Sequence, residues 1–340
     1  MTLPATMRAV LLTGHGGFDR LDLRDDVPVP LPGPDEVLIR IGAAGVNNTD
    51  INTRIGWYGR EGRAGWAGEM AFPRIQGSDL CGRIVALGVG VEGLALGARV
   101  ICPTNQHEPT KGNPINFVSI GSEFDGAFAQ YCVVKARHLH DVSASPLTDI
   151  EIGAMPCAYG TAHNLLTRAQ VAVGERVLVT SAAGPVGATA GQLAKIWGAS
   201  NVTGIAGGAE KCRWLVKECG FDAALDYKAA DFDAQFAAES ADGWDVLFDN
   251  VGNASVDRAL PVMRMKGRIV ISGQVADYNL TPQEAPGIHN TREFIGKRLR
   301  MEGMVVFDDM PGFPAAQAEL AGMIRAGQVK YREEIFDGLA

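Results

Sequence analysis

The chain has 340 residues, about twice an ordinary domain; 46% are hydrophobic and 21% charged, which suits two globular cores and excludes wholesale disorder. The formal net charge of -8 argues against a general nucleic-acid binder. The 42 glycines follow no collagen-like period, so they mark turns and close backbone approaches.

In chain order, the first half reads as β-rich. Met7–Leu12 is a short apolar run, and Glu36–Ile41 alternates after Pro-Gly-Pro, as a strand does after a turn. Gly82–Leu87, Arg99–Cys102 and Ala127–Val134 are further strand candidates. Trp57–Phe72 and Asn105–Phe124 lack periodicity and read as long loops, which in compact domains often serve function. From Ile152 the character changes. Ile152–Arg168 is a helix with small residues, and strands at Arg176–Thr180, Asn201–Ile205, Ala223–Asp226, Trp244–Asn250, Gly267–Ser272 and Arg300–Phe307 then alternate with helices. Those helices are Gly187–Trp197, Ala209–Cys219, Phe232–Ala238 and Ala254–Met263. Such alternation predicts a parallel sheet with right-handed crossovers, an α/β doubly wound fold. Pro314–Ala326 reads as a last helix closed by Gly327, with Gln328–Ile335 extended after it.

The strongest chemical signal follows Arg176–Thr180. Ser181-Ala-Ala-Gly184-Pro185-Val186-Gly187 is a glycine-containing turn between a strand and a helix, where backbone N–H groups and a helix N-terminus hold a pyrophosphate. Ser181 stands where a first glycine is usual. Gly184 lets the backbone approach phosphate, and Gly187 lets the helix pack close. The next strand ends at Gly207-Gly208 with no carboxylate, where NAD sites place an acid for the ribose 2′-hydroxyl. Lys211 and Arg213 follow at once, cations suited to a 2′-phosphate, so NADPH is the expected cofactor. Glu210 is the one nearby acid, better placed for a helix first turn.

These residues carry a resemblance. Gly204–Tyr227, Phe248-Asp-Asn-Val-Gly252, Ile271–Asn279 and Arg298–Gly303, extended by Lys330–Gly338, resemble the prostaglandin reductase branch (leukotriene B4 12-hydroxydehydrogenase-like) of the medium-chain dehydrogenase/reductase superfamily. Pro34-Asp-Glu-Val-Leu38, Gly45–Asp50, Phe72–Asp79 and Gly126–Tyr131 resemble instead the quinone oxidoreductase or zinc-type alcohol dehydrogenase branches, as in a natural mosaic or an engineered chimera. The resemblance implies a GroES-like β-rich catalytic domain over 1–150 and 310–340, a Rossmann NADPH-binding domain over 151–309, and an active site in the cleft between them. It implies that Lys211 and Tyr227 hold the 2′-phosphate and that Asn250, Gly273 and Phe307 lie along the cofactor. It places Asn48 and Thr161 near nicotinamide and substrate, and pairs the last Rossmann strand across a two-fold axis in a homodimer. Prostaglandin reductases continue beyond the Phe-Asp-Gly motif, where this chain reaches Ala340.

Zinc-type relatives carry three ligands where this chain has Asn47, Ser78 and Cys157. One of three does not make a catalytic zinc site, so no metal is expected. Without a Lewis acid the expected chemistry is NADPH-dependent reduction of enones, enals or quinones. Hydride goes to the β-carbon and water protonates the enolate. Asn48 is the candidate donor to the enolate oxygen and Tyr58 the second catalytic candidate. Asp50 reads as a helix N-cap, Cys157 as a packing residue, Tyr278 as part of a loop closing over cofactor, and His138 and His140 as surface residues. An alcohol dehydrogenase and a non-catalytic NADPH-binding protein are the alternatives. The start lacks a secretory signal, no apolar stretch reaches 18 residues, and the cysteines lack Cys-x-x-Cys spacing, so a cytoplasmic protein with reduced thiols is expected.

Overall fold

A computed structural model of the chain describes residues 3–59, 70–108, 117–281 and 283–339. It divides into two compact units. The first comprises Met1–Ala158, Met310–Arg325 and Glu333–Ala340; the second comprises Tyr159–Asp309 and Ala326–Arg332.

The first unit is built from short antiparallel strands: β1 (Thr6–Leu12), β2 (Leu21–Pro28) and β3 (Glu36–Ala43), then helix α1 (Asn48–Ile55) and strand β4 (Arg74–Ile75). Next come β5 (Cys81–Leu87), β6 (Arg99–Ile101), β7 (Asn105–His107), β8 (Phe117–Ser119), β9 (Tyr131–Lys135) and β10 (His140–Asp141), followed by helix α2 (Asp149–Gly153). The main sheet runs β10-β6-β5-β3-β9, with a smaller sheet β2-β1-β4 and a hairpin β7-β8. Val37, Ile39, Leu80, Ile84, Val100, Ile120 and Val134 form its core. They come from β3, β5, β6, β9 and the residues flanking β5 and β8, so no single short strand buries a face alone.

The boundary between units falls within helix α3 (Met155–Ala169). In the second unit β11 (Arg176–Val179), α4 (Pro185–Ile196), β12 (Asn201–Ala206), α5 (Ala209–Lys217), β13 (Ala223–Asp226) and α6 (Phe232–Glu239) alternate. β14 (Trp244–Asp249), α7 (Asn253–Ala259), β15 (Met263–Ile271), α8 (Arg292–Lys297) and β16 (Arg300–Gly303) complete it. The six strands are parallel in the order β13-β12-β11-β14-β15-β16. The chain walks outward from β11 to β13, returns beside β11 as β14, and walks the other way. The order therefore reverses between β11 and β14, the place where such sheets open a crevice at their strand C-termini. Val177, Leu178, Val179, Val246, Leu247 and Phe248 are all buried, as central parallel strands covered on both faces require. Helix α9 (Phe313–Arg325) belongs to the first unit, with Phe313 against the His140 ring at 5.6 Å.

Several sequence expectations shift. The helix expected over Ile152–Arg168 is two helices, α2 and α3, parted at Ala154. The Ala127–Val134 run pairs as a strand only from Tyr131, its earlier part contributing a single bridge between Ala129 and Ala9. Arg300–Phe307 stops being strand at Gly303; Val306–Asp309 is a 3-10 turn. Met263 opens β15 rather than closing the preceding helix. Gln328–Ile335 joins no strand. The loop expected at Asn105–Phe124 contains β7 and β8, and its residues 109–116 lie outside the described ones, as do residues 60–69 of the Trp57–Phe72 loop.

Candidate functional site

The turn after β11 is shaped by backbone. Ser181 holds a left-handed φ of 48°, and the Gly184 N–H donates to the Ser181 carbonyl at 3.0 Å. Gly184 is the N-cap of α4, Pro185 its first residue and Val186 its second. No side chain caps this end, so first-turn N–H groups keep their donor capacity and the helix dipole its positive pole. A Cβ on Gly187 would lie 2.6 Å from the Ser181 carbonyl oxygen and 2.9 Å from the Ala182 Cα. Only glycine lets α4 start this close to the turn.

At the end of β12 a Cβ on Gly207 would lie 2.8 to 2.9 Å from the Tyr227 ring and its hydroxyl oxygen. Tyr227 therefore sits against the strand tip where other sites place an acid. Lys211, in the first turn of α5, is exposed and forms no ion pair among the described residues. Glu210 points elsewhere, to Arg332 at 3.4 Å. Asp226, which the sequence reading did not single out, accepts from the N–H of Gly208 at 2.8 Å and from that of Lys228 at 3.0 Å. These bonds hold its carboxyl below the ordinary aspartate value.

Between β11 and β14 lies a buried polar network. Asp249 is fully buried, which pushes its carboxyl up, while Thr180 Oγ1 donates to it at 2.7 Å and the Gly252 N–H at 2.9 Å. Thr180 Oγ1 also accepts from the Asn250 N–H at 3.1 Å. Ser272 Oγ donates to Asn250 Oδ1 at 2.5 Å, a length that suits an O–H donor better than an amide N–H. Asn250 Nδ2 is buried with no hydrogen-bond partner among the described residues. Gly273 sits beside it, within 3.5 Å (measured from an added Cβ) of the Asn250 carbonyl oxygen and the Tyr278 hydroxyl. An unmet donor at the reversal of strand order, an uncapped helix end and an unpaired lysine at the β12 tip together fit a phosphorylated dinucleotide. Thr161 is half-buried on α3, and Phe307 lies in the 3-10 turn after β16.

In the first unit, α1 is fixed by a capping box. Asn47 is the N-cap, and Asp50 is the third helical residue rather than the cap expected from sequence. Asp50 is buried; its carboxylate accepts from the Asn47 N–H and the Ser78 N–H, each at 2.9 Å. Asp79 is fully buried and accepts from Asn47 Nδ2 at 2.9 Å, Thr104 Oγ1 at 3.0 Å and the Cys157 N–H at 3.0 Å. The structure thus brings together Asn47, Ser78 and Cys157, but through hydrogen bonds. Burial pushes the Asp50 carboxyl to about 6 and that of Asp79 to about 7, the latter helped by the Asp50 charge. Burial and both carboxylates push the Cys157 thiol well up. An amide donating its N–H at Asn47, a hydroxyl at Ser78 and a carboxylate at Asp79 already committed to three donors leave Cys157 as one thiol, which does not fit a catalytic zinc with three protein ligands. Asn48, exposed, opens α1, and the Tyr58 hydroxyl donates to Thr49 Oγ1 at 3.0 Å, which places the two catalytic candidates at the same helix end.

His138 and His140 are half-buried, not surface groups: His138 Nε2 lies 3.3 Å from Glu108, and burial lowers both rings' pKa. A polar cavity of about 430 Å³ beside β16 is lined by charges already paired, Arg168 with Asp308 at 2.8 Å and Arg300 with Glu302 at 2.6 Å.

A GroES-like unit and a Rossmann unit whose strand order reverses between β11 and β14 define a dinucleotide-dependent class of protein. The chain matches the family profile of the alcohol dehydrogenase GroES-like domain over residues 33–144 and that of zinc-binding dehydrogenases over 185–322. It is similar to the NADPH-dependent curcumin reductase of Escherichia coli (strain K12), 36% identical over 207 residues, 59% of either chain. It is also similar to the NADP(+)-dependent 2-alkenal reductase of Nicotiana tabacum, 37% identical over 203 residues, 59% of this chain and 57% of that one. The match spans less than two thirds of these relatives' length. A solved structure from Sinorhizobium meliloti 1021, provisionally assigned to the alcohol dehydrogenases, is 34% identical with a TM-score of 0.81, covering 97% of this chain and 89% of that one. The chain belongs to the medium-chain dehydrogenase/reductase superfamily.

Proposed function

We propose that the protein is a zinc-independent, NADPH-dependent reductase of activated C=C bonds in α,β-unsaturated carbonyls, or of quinones. The observation that carries the reading is the buried network at the three positions where zinc-type relatives carry ligands: Asn47 is an amide that donates to Asp79, Ser78 is a hydroxyl, and Cys157, whose N–H also donates to Asp79, is the one thiol. The relatives named as curcumin and alkenal reductases support it. When bound, NADPH supplies the hydride that the substrate's β-carbon accepts. Ser181, Gly184, Pro185, Val186 and Gly187 hold the pyrophosphate; Gly207, Lys211 and Tyr227 hold the adenosine 2′-phosphate. Thr161, Asn250, Gly273 and Phe307 hold the nicotinamide end. Asn48 donates to the oxygen on which enolate charge develops, Tyr58 holds the first turn of α1 through Thr49, and water protonates the carbon. The GroES-like unit takes Met1–Ala158, Met310–Arg325 and Glu333–Ala340, and the Rossmann unit takes Tyr159–Asp309 and Ala326–Arg332, where the sequence reading drew the lines at 150 and 310. Two copies associate through β16, whose outer edge carries no strand among the described residues, and the protein works in the cytoplasm. Among the described residues no helix is long and apolar enough to cross a membrane.

The test is a panel of enones, enals, quinones and alcohols with NADPH and NADH, followed by cofactor oxidation. Turnover of enones or quinones with NADPH is expected. NADPH binding without turnover of any of them overturns the reading, as does stoichiometric zinc with chelator-sensitive alcohol oxidation.

A further inference from the structure

Asp226 stands at the tip of β13, one residue before Tyr227. Its Oδ1 accepts two backbone N–H groups from different loops, Gly208 at the entry to α5 (2.8 Å) and Lys228 after β13 (3.0 Å). One carboxylate oxygen thus clasps the β12–α5 turn to the β13–α6 turn. The clasp joins the two loops that carry the 2′-phosphate candidates. Gly207 lies on the first, which leads into the α5 first turn that carries Lys211; Tyr227, whose ring fills the space above Gly207, and Lys228, whose Nζ is 5.9 Å from that ring, lie on the second. Both N–H bonds stabilise the ionised form, so Asp226 carries its negative charge at neutral pH among groups otherwise suited to an anion. A hydrogen-bond acceptor alone closes the clasp; the charge is a separate property that opposes a phosphate dianion beside it.

We infer that Asp226 is the residue that sets the NADPH-to-NADH preference of this site, through two opposing effects. As a positioning residue it fixes Gly208 and the Tyr227–Lys228 turn so that Lys211 and Tyr227 face one phosphate. As a charge it holds the affinity for that phosphate below what the lysines would otherwise give. The inference rests on the proposed use of NADPH and goes beyond it.

Asn and Ala separate the two effects, because Asn keeps an acceptor oxygen and loses the charge, while Ala loses both. Fluorescence titration of the full chain with NADPH and with NADH gives the dissociation constants directly, without a substrate. Asp226→Asn is expected to tighten NADPH about fivefold and leave NADH within about twofold, with the gain shrinking at high salt. Asp226→Ala is expected to bind NADPH about tenfold more weakly than Asp226→Asn, alongside a small fall in melting temperature from the two unmet N–H groups. An NADPH-to-NADH ratio that Asp226→Asn leaves unchanged or lowers overturns the inference, and so does an Ala variant that binds NADPH as well as the Asn variant. Where the wild-type chain binds neither nucleotide, the cofactor reading falls and this inference with it. Where wild type binds NADPH and only the variants disagree, this inference alone falls.

Discussion

Asp50 and Asp79 are two carboxyls in one buried network, and both hold their protons to higher pH than ordinary aspartates. At these two groups the folded state therefore binds more protons than the unfolded state between about pH 4 and pH 7. Their contribution to stability is fully present in acid and is lost as pH rises through about 6 to 7. Asp79→Asn removes one titration. Between pH 5 and 8 the stability of the variant relative to wild type should rise by about 3 kcal/mol, measured as denaturant midpoints. A difference that stays flat over that range contradicts the assignment. Asn48 tests the chemistry. Asn48→Ala should lower kcat/KM for an enone by about tenfold to a hundredfold, with the NADPH dissociation constant unchanged, because the missing donor acts on charge that develops only in the transition state. An equal loss in nucleotide binding would place Asn48 in binding rather than in catalysis. The turn of Gly184 and Gly187 was legible because it sits between an apolar strand and a helix. Asp226 and Ser272 were not. Each is an ordinary polar residue at a strand end, and its meaning comes from a backbone or side chain that only folding brings near.

Among the elements, those that bury themselves were readable and those held by other means were not. β11, β12, β13 and β14 are compact apolar runs, and their bounds fall within a residue or so of expectation. β2 is mostly exposed and reads Leu-Asp-Leu-Arg-Asp-Asp-Val-Pro, so its strand character comes from pairing with β1, which no local pattern records. α1, Asn-Thr-Asp-Ile-Asn-Thr-Arg-Ile, is poor in helix formers and is held by its capping box and by Asp50's bonds to Ser78. α4 belongs with the readable elements, and its start can be tested. Gly187→Ala puts a methyl into the Ser181 carbonyl and the Ala182 Cα, both backbone and unable to yield cheaply. A cost of about 1–3 kcal/mol in stability is expected. NADPH affinity should fall with it, since the helix end must withdraw from the turn; calorimetry and titration of one sample check both. Loss of stability with undiminished affinity would remove the turn from the cofactor site.

Over the whole molecule, the chain leaves the second unit at Asp309, builds α9 in the first, and returns to the second for Ala326–Arg332. The sequence showed only an extended stretch there, because a strap pinned at its backbone needs no side-chain pattern of its own. The pins are specific. Gln192 on α4 donates through Nε2 to the Lys330 carbonyl at 2.8 Å and accepts the Lys330 N–H at Oε1 at 2.7 Å. Val329 is buried beside them, and the Arg332 guanidinium lies 4.9 Å from the Trp214 ring while facing Glu210 and Glu218. The exposed ion pairs contribute little, so Gln192 and Val329 carry the attachment. Gln192→Leu leaves a backbone donor and acceptor unmet at Lys330 and should cost the second unit about 2 kcal/mol. Hydrogen exchange locates the effect: the Lys330 amide and the amides of α4 should lose protection, while β3 and β5 of the first unit keep theirs. If protection is lost uniformly through both units, the strap is part of one global unfolding event and not a local fastening of the Rossmann unit. If Lys330 keeps its protection, the Gln192 bonds do not hold it.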